Sequence, residues 1–371
     1  MDWRADWGTP LWQVESPAMP LPPPARCDVA VIGGGFTGLS AAYHLARTGC
    51  RVALFEAARI GDGASGRTGG LALEGTADGP RPGVEHCLDE LAELTTTAGI
   101  DCDLDLRGCW EVAHRPERVA DGPPWRDGGG WLHVERTVPG GTIDPGALVA
   151  GLARAARAAG ATIHEEAAVR RLDTGAAPRL YLDGASVDCA HAVVAVNGYL
   201  PDLLPLDEPV RAPLTLALCT APLDAAVLAD AGFAARLPFY TVDLPYLWGR
   251  WVRGNRLLLG AGLLFADDER VRTVDLDSAD SRASLARLEA RVRGLHPALA
   301  AVTITHRWGG PIAFRAGAAP LLAALPGQPR VLIAGAYAGH GVALSLRAGR
   351  LLADAISRAT PLPAWGAVGG A

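Results

Sequence analysis

Three glycines near the head of the chain carry the first readable chemistry. Asp28-Val29-Ala30-Val31-Ile32 is an apolar run that enters Gly33-Gly34-Gly35-Phe36-Thr37-Gly38, and Leu39-Ser40-Ala41-Ala42 leaves it as a helix-like stretch. In such a Gly-x-Gly-x-x-Gly turn, Gly33 permits the tight reversal and Gly35 lets the backbone approach a pyrophosphate. Gly38, with Ala42 one turn later, lets the helix sit close to the strand. Phe36 and Thr37 open the helix, whose free N–H groups and partial positive charge suit phosphates. A second apolar run, Val52-Ala53-Leu54-Phe55, ends on Glu56, eighteen positions after Gly38. A carboxylate there can accept ribose hydroxyls. Strand, turn, helix, strand and acid agree on a dinucleotide, with NAD and FAD equally allowed; the competing reading is a structural turn in another α/β fold.

Composition removes other chemistries. All 34 basic residues are arginine, so no lysine can form a Schiff base or stand as an ammonium beside a cofactor. The seven cysteines (27, 50, 87, 102, 109, 189, 219) are an odd set without metal-site spacing. They read as free, mostly buried thiols of a reducing compartment. His114, His133, His164, His191 and His306 sit in or beside apolar runs, and no histidine pair has ligand spacing, so no metal is expected. With net charge −6 and no uncompensated arginine cluster, nucleic acid is not an expected partner. No run reaches the ~18 apolar residues of a membrane span, and Met1–Trp7 does not read as a secretory signal. The expected location is cytoplasmic.

The elements that must position these residues follow from local signals. Residues 1–26 are a stiff, proline-rich arm whose Trp3, Trp7 and Trp12 read as packing anchors. Residues 57–85, rich in glycine, read as a loop wrapped around something. Asp144-Pro145 predicts an N-cap and first helical turn, with Gly160 ending that helix and 161–164 resuming as a strand. A strand is expected over 187–196, closed by Asn197-Gly198. Short β-like runs (214–218, 256–259) and a helix near 279–293 mark a second domain. The chain then returns to a strand at 330–335, a glycine-rich turn at 338–342 and a helix over 344–358; the tail after Thr360 reads as a frayed end.

Four segments together resemble the flavin-dependent amino acid and amine oxidase family, which includes D-amino acid, glycine, sarcosine and gamma-glutamylputrescine oxidases. They are the opening fingerprint, Glu56–Gly70, Ala195-Val196-Asn197-Gly198-Tyr199, and Trp308-Gly309-Gly310-Pro311 through Ala338-Gly339-His340-Gly341-Val342. The second and fourth are most similar to the gamma-glutamylputrescine oxidase branch. The resemblance implies an α/β protein, with a Rossmann-like FAD-binding domain interleaved with a smaller α+β substrate domain containing an antiparallel sheet. The expected boundaries are 27–85, 141–200 and 301–360 for FAD, and 86–140 and 201–300 for substrate.

The same resemblance implies roles for residues. Glu56 would hold the adenosine ribose, and the loop Ser65-Gly66-Arg67-Thr68-Gly69-Gly70 would pass the pyrophosphate and flavin ring. Val169 would give backbone contacts to adenine, and Gly339, His340, Gly341 and Val342 would present N–H groups and a helix dipole to the flavin. Ala57, Arg59, Ala195, Asn197 and Gly335 complete the expected cofactor set. His340 and Arg67 are the candidate catalytic side chains; Tyr246, Trp248, Arg250 and Trp308 are the candidate substrate pocket, near Tyr240 and Trp251.

Departures from the family pattern narrow the expectation. Relatives that oxidise free amino acids carry Arg-Pro where this chain has Gly310-Pro311, which disfavours a simple α-amino acid unless Arg250, Arg253 or Arg315 compensates. The family's Asp-Gly becomes Gly317-Ala318. No cysteine follows Cys219 and no histidine lies between Val52 and Glu85, so the FAD is expected to be noncovalent. The reading is an FAD-dependent oxidoreductase that oxidises the C–N bond of a small amine-type substrate by hydride transfer, reoxidised by O2 to give H2O2. The alternatives are a biosynthetic dehydrogenase with another acceptor and an electron-relaying FAD subunit.

Overall fold

The computed structural model describes residues 6–16, 21–119, 122–206, 208–266 and 270–368; Trp3 lies outside them. The strands Arg26–Ile32 and Val52–Phe55 pair in parallel around the helix Phe36–Arg47. They sit centrally in an eight-stranded sheet, ordered Leu321–Leu325, Gln328–Gly335, Ala185–Val194, Arg26–Ile32, Val52–Phe55, Thr162–His164. Strands Arg171–Asp173 and Arg179–Leu182 extend it from the 185–194 strand. Burial on both faces explains why its parallel strands read as continuous apolar runs rather than alternating ones. Helices Phe36–Arg47, Pro145–Ala158 and Gly341–Ser357 cover one face, and Ser40 Oγ donates to Leu346 O at 2.8 Å where two of them meet. The Asp144 cap forms, its carboxylate accepting from Ala147 N–H at 3.0 Å, and Gly160 turns at φ +104°.

The second sheet also has eight strands: Ile304–Pro311, Leu214–Thr220, Arg256–Leu264, Leu247–Val252, Phe239–Thr241, Cys109–Arg115, Gly130–Val138, Arg126–Asp127. All its pairs are antiparallel except Phe239–Thr241 with Cys109–Arg115. Trp125, Phe233 and Phe239 pack behind it, with centroids 4.7 and 4.5 Å from Trp125. The helix Ala279–Gly294 crosses the same side.

Several elements fall elsewhere than the sequence suggested. The helix Cys87–Thr97 packs on the 341–357 helix, with Arg347 2.9 Å from Glu90, so residues 86–140 are shared between the two cores. Strand 304–311 is the edge of the second sheet because its register partner is 214–220, so the return to the first sheet comes later than residue 301. The glycine-rich 57–85 segment contains a strand, Leu71–Leu73, paired with Gly140–Thr142. Up to residue 368 the tail is docked, not frayed: Trp365 Nε1 donates to Pro82 O at 2.8 Å, and Arg315 donates to Trp365 O and Ala367 O. In the arm, Trp7 and Trp12 are buried, and Trp7 Nε1 donates to Val274 O at 3.0 Å. The cysteines are free and all but Cys50 are buried.

One half-buried histidine makes stability pH-dependent. Burial lowers the His44 pKa from 6.5 to about 4, helped by Arg350, and its Nε2 has no partner among the described residues. The unfolded chain takes up that proton near 6.5, while the native one refuses it until about 4. This contribution is therefore complete above the upper value and is lost as pH falls through the window, by about 3 kcal/mol at most. Urea unfolding of His44→Leu across that range should show a flatter stability–pH slope than the parent; an equal slope refutes the assignment.

Candidate active site

Between the two sheets lies a cavity of about 1940 Å³. That is roughly twice the upper end of ordinary small-ligand sites at ~1,000 Å³, so there is room for a dinucleotide and a second molecule. Its inner end is the glycine turn. Gly33 adopts φ +109°, and a Cβ there would lie 2.6 Å from Ala195 O. At Gly38 a Cβ would fall 1.9 Å from Gly33 O, so Gly38 packs beneath the turn rather than lining the cavity. Gly35, Phe36 and Thr37 line it. Phe36 N–H donates to Ser65 Oγ at 2.9 Å, which docks the 64–66 turn onto the glycine turn. Thr37 Oγ1 and Tyr337 OH share a 2.8 Å hydrogen bond.

Glu56 ends its strand on the cavity wall beside Ala57. Its two carboxylate oxygens accept from Gly34 N–H at 2.7 Å and Ala58 N–H at 3.0 Å. Burial pushes its pKa up, and those hydrogen bonds oppose the shift. Val169, Ala195 and Asn197 line the same end, with Asn197 Oδ1 accepting from Ala336 N–H at 2.8 Å. Gly339 turns at φ +92° ahead of the 341–357 helix, whose first residues, Gly341 and Val342, face the cavity. His340 caps that helix. Burial lowers its pKa against a backbone hydrogen bond with Ala338, so the ring stays neutral, and Nδ1 has no hydrogen-bond partner among the described residues. Gly335 closes its strand against Asn197, and Arg59 is exposed on the outer surface; neither reaches the cavity.

The opposite wall is the second sheet, and its register lays one row of side chains across it. Arg136, Glu111, Tyr240, Trp248, Gly260, Ala217 and Trp308 are successive cross-strand partners. Tyr240 OH donates to Glu111 at 2.7 Å, and Arg136 pairs with the same carboxylate, holding it below the usual range. The Trp248 ring lies between two glycines: a Cβ would meet it at 2.0 Å from Gly260 and 2.3 Å from Gly69. Tyr246, Thr68 and Gly69 also line the cavity.

Trp308 and Arg250 do not line it. Trp308 stands at the far end of the row, where the arm covers it: Trp12 packs edge-on with centroids 6.0 Å apart, and the indole N–H donates to Arg67 O at 2.9 Å. Arg250 is 6% exposed and faces the 69–70 loop, donating from Nη1 to Ile143 O at 2.6 Å, Gly70 O at 2.9 Å and Gly69 O at 3.3 Å. Burial brings its pKa down to about 10. Gly70 is thus held under Arg250 rather than on the wall. Arg67 does reach the cavity, but its guanidinium is a clamp, donating to Gly8 O at 2.9 Å, Gly309 O at 3.2 Å and Asp62 O at 3.1 Å. Sequence reasoning passed over Glu111, Arg136 and Tyr337. Only the pairing of distant strands and the Thr37 contact bring them to the wall.

The glycine cradle, Glu56 and a helix N-terminus aimed into one cavity fit a flavin dinucleotide. The chain matches the model of the FAD dependent oxidoreductase family over residues 28–355. It belongs to that family. A probable oxidoreductase, OrdL, of Rhizobium meliloti (strain 1021) is 30% identical, the alignment covering 94% of this chain and 87% of that one. The gamma-glutamylputrescine oxidoreductase of Escherichia coli (strain K12) is 28% identical over 88% of this chain and 83% of its own. The solved glycine oxidase of Geobacillus kaustophilus superposes with TM-score 0.73 at 22% identity, covering 90% of this chain and 95% of that one, and so shares the fold. The chain is therefore an FAD-dependent oxidoreductase with an FAD-binding unit and a sheet-bearing second unit. Among the described residues no His, Cys, Asp and Glu cluster could hold a metal ion, and no helix is long and apolar enough to cross a membrane.

Proposed function

We propose that this flavoenzyme oxidises the C–N bond of an amine whose substrate carboxylate, if any, is not clamped by arginine. One observation carries the reading: the cavity arginines are committed elsewhere. Arg67 holds four carbonyls, Arg136 pairs with Glu111, Arg81 with Asp78, Arg170 with Asp183, and Arg270 and Arg272 with Asp202. Gly310 leaves its own position bare, and the candidate substitutes are no better placed. Arg250 is spent on loop carbonyls, Arg253 pairs with Asp103, and Arg315 pairs with Glu208. The name of the Escherichia coli relative, a gamma-glutamylputrescine oxidoreductase, supports an amine, while glycine oxidases among the relatives mark the amino-acid alternative.

Gly33–Thr37, Glu56, Ser65–Gly69, Val169, Ala195, Asn197 and Gly339–Val342 would hold the FAD, which supplies a two-electron acceptor. The 341–357 helix dipole favours negative charge at that end. Trp248 and Tyr240 wall the substrate side, exclude water and orient the amine. No cysteine lines the cavity among the described residues, which supports noncovalent FAD, releasable by heat or acid. O2 is the proposed acceptor. The lack of lysine favours a second reading, a dehydrogenase passing electrons elsewhere.

Anaerobic mixing of the yellow holoenzyme with amine and α-amino acid panels tests the proposal. Amines should bleach the flavin, with simple α-amino acids at least tenfold slower. Comparable rates for both would sink the argument from the committed arginines. Admitting air and assaying peroxide then separates oxidase from dehydrogenase.

A further inference from the structure

The cavity mouth exposes a band of apolar side chains. Val242, Leu244, Tyr246 and Leu263 line it and are 46%, 75%, 54% and 43% exposed; Phe265 follows at 60%. A β-bulge is what turns Leu263 there. Leu216 opposes Ala261 but Thr215 opposes Leu263, leaving Gly262, at φ +79°, as the extra residue. Strict alternation would put Leu263 on the face of Ala261, turned with Leu216 toward the core. The bulge puts it beside Thr215 on the cavity face, as bulges re-aim side chains at sites. Thr215 in turn opposes Gly310. A path therefore runs from Gly310 past Thr215 and Leu263 to Tyr246 and Leu244, and none of these side chains carries a charge.

The loop that presents the rim is held from beneath. Arg291 donates to Tyr246 O at 2.9 Å and Pro245 O at 2.8 Å, and grips Asp127 through Nε at 2.7 Å. His114 Nε2 lies 2.8 Å from the same aspartate, and His114 N–H donates to Asp243 at 2.7 Å. A polar scaffold thus fixes the backbone of a loop whose side chains are apolar and exposed. Val242, Leu244, Tyr246 and Leu263 make the band continuous with the cavity.

We propose that Leu244, Tyr246 and Leu263 form the subsite for an uncharged apolar substituent of the substrate, an alkyl or aryl tail that starts beside Gly310 and leaves over Leu244. The proposal rests on the amine reading for its substrate but not for its test. N-alkylacetamides of increasing chain length, which need no turnover, are titrated into the holoenzyme by calorimetry. Affinity should rise about two- to fourfold per methylene, as partial burial of a CH2 group predicts, and Leu244→Ser with Leu263→Ser should flatten that rise. Flavin bleaching by primary n-alkylamines should follow the same trend in apparent affinity.

A flat acetamide series in the parent overturns the subsite, as does tighter binding of acetamides ending in an ammonium or carboxylate. A rising acetamide series with no bleaching by any amine keeps the subsite and rejects the amine reading. The same double variant in analytical ultracentrifugation covers the other occupant. If the parent is a dimer that the variant splits, and the series is flat, the rim is a contact between copies of this chain and the proposal falls.

Discussion

Gly38→Val is expected to leave the protein unable to retain FAD. A Cβ at this position would lie 1.9 Å from Gly33 O, a main-chain atom that cannot swing aside. Relief requires the 36–47 helix to lift from its strand, or the glycine turn to open. Either movement displaces the helix N–H groups that would meet the phosphates. Overpacking of this kind costs about 1–3 kcal/mol where neighbours can shift, and more where they are backbone. Gel filtration followed by the flavin spectrum should show loss of most bound FAD in Gly38→Val. Gly294→Ala serves as the control, since nothing lies within 4 Å of its would-be Cβ. Full flavin content in Gly38→Val would mean that the turn does not hold the cofactor.

Arg250→Met should destabilise the fold and loosen FAD without changing selectivity toward carboxylates. The substitution keeps much of the side-chain length but strands Ile143 O, Gly70 O and Gly69 O, which now accept from one guanidinium. Hydrogen bonds to a charged group are worth about 1.5–3 kcal/mol each, offset here by release of a charge that burial already disfavours. A net loss of about 3 kcal/mol corresponds to a fall of about 4 °C in Tm for a chain of this length. Because Gly69 also seats the Trp248 ring, FAD should dissociate faster. Arg250→Lys should recover only part of the loss, since an ammonium lacks the planar fork. If Arg250→Met kept its Tm but lost binding of amino acids, Arg250 would be a substrate clamp after all.

Legibility in the sequence followed the range of the interactions. The turn at Gly33–Gly38, the Asp144 cap and the reversal at Gly339 were readable because each depends on residues a few positions apart. The helix over 341–357 began three residues earlier than its apolar period suggested, since Gly341 at its start has no side chain to count. Nothing local in segment 86–140 distinguishes the helix that packs on the 341–357 helix from the strand that pairs with 239–241.

By itself, then, the sequence determined the glycine turn at 33–38, the acid that follows it, and the lack of any lysine or of an arginine at 310. The tertiary structure alone decided which side chains share the cavity. Cross-strand register set Glu111, Tyr240 and Trp248 in one row, and the arm shut Trp308, at the end of that row, out of the cavity. Arg250 was claimed by loop carbonyls, and a one-residue bulge at Gly262 turned Leu263 outward. Each of these depends on pairing between segments far apart in the chain. Such pairing is set by the burial of whole faces, which no local spacing encodes.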